Sequence, residues 1–194
     1  ERTQIAEADY AGYRSSPAGK NVGTYNVTDS RRYTIRLADN RKVQLTTPKT
    51  FSAWDEESDY PDYPRGHGYS GWTKDDGAIL IYDRYDIWSF DPNGEKAPVK
   101  LTKIGRENKI TYRRISLDRE QEYIDLNQPM MLTGYNEVDK STGLYRARLS
   151  APANPALLIG GSFSYGNVAK AKKADKYIYT RESYEVYPDV WYTN

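Results

Sequence analysis

A chain of 194 residues is long enough to bury a real core. Its 28 basic and 27 acidic residues leave a net charge of +1, so no overall field draws it to nucleic acid or to an anionic membrane. It has no cysteine, which excludes disulfides, a thiol nucleophile and a Cys-based zinc site, and no apolar stretch approaches the roughly 20 residues that span a bilayer. The 19 Tyr and 4 Trp, against 2 Met, favour strands whose aromatic bodies pack while their hydroxyls reach a wet edge. A surface on which carbohydrate or peptide stacks is the other use of so many tyrosines. The basic run Lys170-Ala171-Lys172-Lys173 reads as a solvated turn. The opening at Glu1, without an initiator Met or a signal sequence, leads to the expectation that a segment upstream has been removed or left out.

Residues 1–21 hold a first strand or a frayed end. Val22 to Val27, Tyr33 to Leu37 and Lys42 to Thr46 then read as three strands. After a long connection, a clearer unit begins: strand a ends at Trp72, strand b is Ala78 to Tyr82, strand c is Asp86 to Phe90 and strand d is Val99 to Thr102. Asp76-Gly77 supplies the a–b turn and Asp91-Pro92-Asn93-Gly94 the c–d turn, with the positive φ and preset proline φ that tight hairpins demand. Strand b then returns as Tyr123-Ile124-Asp125 and as Tyr177-Ile178-Tyr179. Strand c returns as Gly143-Leu144-Tyr145 and as Asp189-Val190-Trp191. Residues 167–175 carry Ala and Lys without an apolar stripe at helical spacing, so no helix is predicted there.

Leu45 and Leu101 lie 56 residues apart, Trp88 and Tyr145 57, and Tyr145 and Trp191 46. Four short strands joined by tight turns at such a period are the signature of propeller blades. The expected fold is therefore all-β: a partial β-propeller of about three to four four-stranded antiparallel blades. It is read as a single domain over residues 1–194, with units at about 1–53, 68–102, 110–160 and 163–194. A ring closes with roughly four to eight blades, so the chain is expected to be part of a longer ring. Its last unit stops after strand c, and open edges of this kind favour self-association.

The a–b and c–d turns of a meander lie on one rim, and the b–c turns and d–a crossings on the other. The matched strands make the first rim short almost throughout, with turns at Lys74 to Gly77, Asp91 to Lys96 and Asp118 to Glu122. All the extra chain is then expected on the second rim, in Thr47 to Gly68, Leu126 to Thr142 and Arg181 to Pro188, where binding is expected to reside. The acidic run Asp55-Glu56-Glu57-Ser58-Asp59-Tyr60-Pro61-Asp62 reads first as a solvated loop. Paired carboxylates that hold a peptide amino terminus, or a calcium site that meets no spacing rule, are the alternatives.

No reaction is legible. His67, the single histidine, sits between Gly66 and Gly68 and reads as structural. Gly160-Gly161-Ser162-Phe163-Ser164-Tyr165-Gly166 misses the G-x-S-x-G register at both Ser162 and Ser164. His67 also precedes both serines, which excludes a Ser…Asp…His order. No catalytic residue, cofactor-binding residue or metal ligand is assigned, no cofactor is expected, and the substrate-binding residues remain open.

Three stretches carry a resemblance: Gly71-Trp72-Thr73-Lys74-Asp75-Asp76 through Leu80-Ile81-Tyr82-Asp83-Arg84-Tyr85-Asp86-Ile87-Trp88, then Asn108-Lys109-Ile110-Thr111-Tyr112-Arg113, then Glu185-Val186-Tyr187-Pro188-Asp189-Val190-Trp191. Over about residues 68–194 the chain resembles the propeller region of bacterial prolyl-oligopeptidase-family serine peptidases. The resemblance implies a non-catalytic propeller that gates or docks peptide substrates for an α/β-hydrolase domain, which would carry the Ser, Asp and His. It implies as partners a peptide substrate, the remaining blades and that hydrolase domain, with no nucleic acid and no membrane. It also implies a periplasmic or secreted location. Glu56-Glu57 is not in a context that matches the glutamate pair of related dipeptidyl peptidases. A stand-alone, TolB-like propeller for protein binding and a glycan-binding propeller are the alternative readings.

Overall fold

The computed structural model describes residues 2–6, 10–47 and 51–193. These residues form fifteen strands and two single-turn helical segments, so the chain is all-β as expected. Four sheets follow one another along the chain, each an antiparallel meander in which sequence neighbours pair. The first holds β1 (Tyr10–Ser15), β2 (Asn21–Asn26), β3 (Arg31–Arg36) and β4 (Arg41–Gln44). The second holds β5 (Tyr69–Trp72), β6 (Ile79–Tyr82), β7 (Ile87–Phe90) and β8 (Val99–Lys100). The third holds β9 (Ile110–Arg114), β10 (Met130–Asn136), β11 (Thr142–Ala147) and β12 (Ala156–Ile159). The fourth has three strands among the described residues: β13 (Ser164–Lys170), β14 (Tyr177–Glu182) and β15 (Asp189–Thr193). The chain divides into two compact units, Glu1–Leu101 with Glu122–Asp125, and Thr102–Gln121 with Leu126–Asn194.

In the first unit the apolar run Ile79-Leu80-Ile81-Tyr82 is buried on both faces, as a strand inside packed layers must be. Its core joins Tyr25, Trp72, Ile79, Ile81 and Phe90 with Phe51 and Ala53 from the crossing segment between β4 and β5. Phe51 meets the rings of Trp88 and Phe90 edge-on, at 5.5 and 5.2 Å. The crossing is thus anchored at its start, while its acidic stretch is exposed at Asp55, Glu56, Glu57, Asp59 and Asp62. Glu57 pairs with Arg84 at 2.6 Å.

Two buried carboxylates organise the turns of the second sheet. Asp83 accepts bonds from the Tyr85 and Asp86 amides (2.8 and 2.5 Å) and from Trp88 Nε1 (3.0 Å), which fixes the β6–β7 turn. Asp76 accepts from Ser16 Oγ at 2.5 Å and from the Ala18 and Lys20 amides at 3.0 and 3.3 Å, joining the β5–β6 turn to the β1–β2 turn. The positive φ expected in that β5–β6 turn is there but displaced. Asp75 and Asp76 adopt it, at 57° and 60°, while Gly77 is right-handed at −64°. An aspartate tolerates this conformation, and here its side chain is also needed at that place. In the c–d turn Gly94 does carry the positive φ, at 70°.

Tyr33 on β3 donates to the Asp29 carboxylate. Burial first, and that hydrogen bond second, push its phenol up from 10.0 to about 12. The fold therefore favours the neutral form. This contribution to stability is complete below the unfolded value near 10 and is lost as pH rises through about 12. Urea unfolding midpoints are expected to fall more steeply for the wild type than for Tyr33→Phe over roughly pH 9 to 12. Parallel slopes for the two would contradict the assignment.

The second unit corrects the reading of its strands. Tyr123-Ile124-Asp125 is not strand b of the third sheet. Ile124 instead forms an isolated parallel bridge with Thr73 and donates its amide to the Trp72 carbonyl at 2.7 Å, so it belongs to the first unit. Strand b is β10, with Met130, Leu132 and Gly134 buried in alternation. Gly143-Leu144-Tyr145 does lie in β11, and Tyr177-Ile178-Tyr179 and Asp189-Val190-Trp191 lie in β14 and β15. Residues 167–170 continue β13, with no helix. Leu144, Tyr165 and Tyr179 form the buried cluster of this unit, and Thr142 Oγ1 accepts the Tyr165 amide at 2.5 Å to tie β11 to β13.

With strand b moved, the rims change. Residues 137–141 form a short b–c turn in the third sheet, while residues 115–129 form a long a–b connection. Asp118 to Glu122 is part of that connection and not a tight turn between strands. The extra chain is therefore not all on one rim. Leu126 to Thr142 is no single loop, because strand β10 occupies Met130–Asn136 within it, and Arg181 and Glu182 still belong to β14. Of the three predicted loops, the crossing between β4 and β5 alone holds no named strand among its described residues.

Candidate functional site

The crossing closes on itself as a loose hairpin. Trp54 and Gly66 form an antiparallel bridge, and the Asp55 amide donates to the Arg65 carbonyl at 2.8 Å. Its returning limb, residues 62–68, borders a cavity of about 540 Å³ in the first unit. Ala11 to Arg14 of β1 form another wall, beside an irregularity in the β1–β2 register between Ala11 and Arg14. Tyr25 of β2, Arg32 of β3 and Tyr69 of β5 line it as well.

Tyr25 and Arg32 are direct cross-strand partners. The Arg32 guanidinium carbon lies over the Tyr25 ring at 4.7 Å from its centroid and over the Tyr69 ring at 4.3 Å. Each such contact returns on the order of 2 kcal/mol when desolvated. Arg32 is only 2% exposed, and no carboxylate among the described residues pairs with it. The cost of burying an unpaired ion is several kcal/mol even after relaxation, so the two rings offset it only in part. Its Nε is buried without a hydrogen-bond partner among the described residues.

The tyrosines supply no counter-charge. Burial raises the phenol of Tyr69 against the opposing pull of Arg32. Burial likewise dominates at Tyr25, whose hydroxyl donates to the Pro64 carbonyl at 2.8 Å. The Tyr69 hydroxyl is itself buried without a hydrogen-bond partner among the described residues. Arg14 and Arg65 also border the cavity, against Asp62 as the single acid, so its lining is basic. Gly66 allows a close approach: a Cβ there would meet the Arg32 guanidinium at once and the Ala53 carbonyl at 3.2 Å.

His67 lies in the returning limb, where its amide donates to the Ala53 carbonyl at 3.1 Å. Ser162 and Ser164 belong to the second unit. Among the described residues no group of three or more His, Asp or Glu is placed to hold a metal, and no helix is long and apolar enough to cross a membrane. Sequence reasoning named the crossing but missed Tyr25, Arg32 and Tyr69. The available signal was an arginine inside a strand, Arg31-Arg32-Tyr33-Thr34-Ile35, whose neighbours are the residues of a buried sheet.

No family model matches the chain, and no curated protein matches it. Among solved structures it is similar to TolB from Acinetobacter baumannii, with a TM-score of 0.50 and 11% identity over 95% of this chain and 41% of that one. It is also similar to regucalcin from Agrobacterium tumefaciens, described as a calcium-binding protein, with a TM-score of 0.47 and 10% identity over 92% and 55%. A Bacteroides thetaiotaomicron protein of unknown function gives 0.45 and 12% over 95% and 44%. The chain thus spans between 41% and 55% of the lengths of these proteins. At such identities the likeness speaks to fold and not to activity. The chain has the all-β, blade-repeating fold of a β-propeller.

Proposed function

We propose that the chain is a non-catalytic binding segment of a propeller, which docks an extended peptide or partner loop in the cavity of its first unit. The observation that carries this reading is the cavity itself. It is a concavity of drug-like size, lined by Tyr13, Tyr25, Tyr63 and Tyr69 and bordered by the returning limb of the crossing. Exposed aromatic side chains at its mouth, Tyr13 and Tyr63, offer rigid contact area at low entropic cost. Docking here serves either a stand-alone propeller or one that gates peptides for a separate hydrolase domain. The second setting is supported by the three stretches that resemble prolyl-oligopeptidase propellers. An exported location, periplasmic or secreted, is part of the same proposal. So is association through the edge strand β15, where Val190, Trp191 and Tyr192 are exposed, with further blades or with a second copy.

A display library of random octapeptides panned against the chain tests the docking site. Enriched peptides are expected to bind the double variant Tyr13→Ser, Tyr63→Ser at least about tenfold more weakly, because aromatic anchors dominate such contacts. Both positions are exposed, so the fold is not at stake. Failure to enrich any peptide, or equal binding to the double variant, would overturn the reading.

A further inference from the structure

We propose that Arg32 and Tyr69 together form a receptor for a carboxylate, so that the ligand of this cavity is an anion with an apolar body. The inference rests on the cavity being a docking site and names the chemistry it selects. Two hydrogen-bond donors, Arg32 Nε–H and the Tyr69 hydroxyl, are buried at one cavity with no acceptor among the described residues. Buried donors of this kind are rarely left open, and an open pair at a cavity marks a place for an acceptor. The Arg32 charge has no partner either, since no described carboxylate pairs with it and both flanking phenols stay neutral.

The geometry narrows the acceptor. Tyr25 and Tyr69 hold the guanidinium carbon 4.7 and 4.3 Å from their ring centroids, which stabilises the cation but supplies no acceptor for its N–H groups. A carboxylate presents two acceptor oxygens in one plane, which suits an arginine edge and a neighbouring hydroxyl at once. A phosphate shares the affinity for arginine but lacks the apolar body that the rest of the lining favours, so it is the competitor against which the carboxylate is tested. Arg14 and Arg65 add positive charge at the border, and Asp62 is the one opposing group. The apolar remainder of the lining then favours an aryl or aliphatic body behind the charge. Such a carboxylate comes from a peptide terminus, from an acidic side chain or from a free organic acid.

The test uses the whole chain and benzoate as probe, followed by the Nε–H signals of its arginines in nitrogen-15 spectra. Benzoate is expected to shift one arginine signal saturably, with a Kd of about 1 mM, and that signal is expected to be missing in Arg32→Lys. Benzamide, the neutral isostere, and inorganic phosphate are expected to leave it in place. Tyr69→Phe removes one hydroxyl and keeps the ring, so it preserves the packing while weakening benzoate about three- to tenfold. Should Arg32→Lys fail to fold, the wild-type spectra and Tyr69→Phe decide the matter. A peptide from the display selection, compared as free acid and as C-terminal amide, and then with its acidic side chains made amides, identifies the source of the carboxylate.

A shift by benzamide or phosphate equal to that by benzoate would overturn the carboxylate assignment while the docking site stood. An unmoved Arg32 signal, with benzoate binding elsewhere, would overturn it too. Display peptides insensitive to Tyr13 and Tyr63 would instead remove the docking site itself.

Discussion

Asp76→Ala is expected to lower the unfolding free energy by about 3–4 kcal/mol, the sum of two separable losses. The first is a buried carboxylate, 4% exposed, that accepts from Ser16 Oγ and from two amides of the β1–β2 turn. Charge-assisted bonds of this kind contribute on the order of 1.5–3 kcal/mol each before their overlap is counted. The second is conformational. Asp76 is left-handed, at φ 60°, where alanine is worse than aspartate by roughly 1 kcal/mol. Asp76→Gly separates them, because it removes the carboxylate and relieves the backbone. It should cost about 1 kcal/mol less than alanine. Asp76→Asn keeps an acceptor and the tolerance for this conformation, and should fall to about half the alanine cost. Denaturant melts of the three variants provide the comparison. A glycine variant as stable as the wild type would show that the hydrogen bonds contribute nothing.

Gly71→Val is expected to abolish soluble folding at 37 °C, with a cost of at least about 4 kcal/mol. Gly71 stands at a bulge in the β5–β6 register with φ 143°, a region costly to side chains and worst for a β-branched one. A Cβ there would also lie 2.9 Å from Ile124 Cδ1. Gly71→Ala carries both costs in milder form, and a double variant with Ile124→Ala apportions them. Removing the Ile124 side chain relieves the steric share and leaves the backbone share. If the two substitutions were strictly additive in thermal melts, the clash with Ile124 would not be part of the cost.

The strand order was legible because tight turns and aromatic strands repeat at a near-constant period, and sterics leave such a pattern few alternatives. Strand b of the third sheet was misplaced for a physical reason. Tyr123-Ile124-Asp125 has the composition of a buried strand, whereas Met130 to Asn136 carries a glycine in its interior, which weakens a strand. The ring of Tyr145 occupies the space above Gly134 and makes that glycine a good fit, a relation between strands that no local pattern displays. The error then spread, because one misplaced strand reassigns both rims of its sheet.

The candidate site was hidden more deeply. Arg32 counts as surface in any reading by residue type, and it is buried because Tyr25 across the ladder, Tyr69 from the next sheet and Gly66 of the crossing converge on it. The resemblance to peptidase propellers, in turn, falls on residues with plain structural duties. Trp72 is core, Asp76 ties two turns and Asp83 fixes a third. Such residues report the blade more than the chemistry performed on it.

The bridge between Ile124 and Thr73 also has a consequence for the order of events during synthesis. The first unit borrows residues 122–125 from beyond the start of the second, so its contiguous part ends at Leu101 without its last strap. A ribosome that has released only the first hundred residues has therefore not yet supplied the side chain that covers Gly71. The first unit is completed only after part of the second has emerged, which makes the two halves of the chain consecutive in sequence but interleaved in time. A single cut that keeps the first unit whole must fall beyond Asp125 and carries residues 102–121 of the second with it, and a protease that nicks the chain between β9 and Glu122 would loosen a sheet whose own strands it never touches.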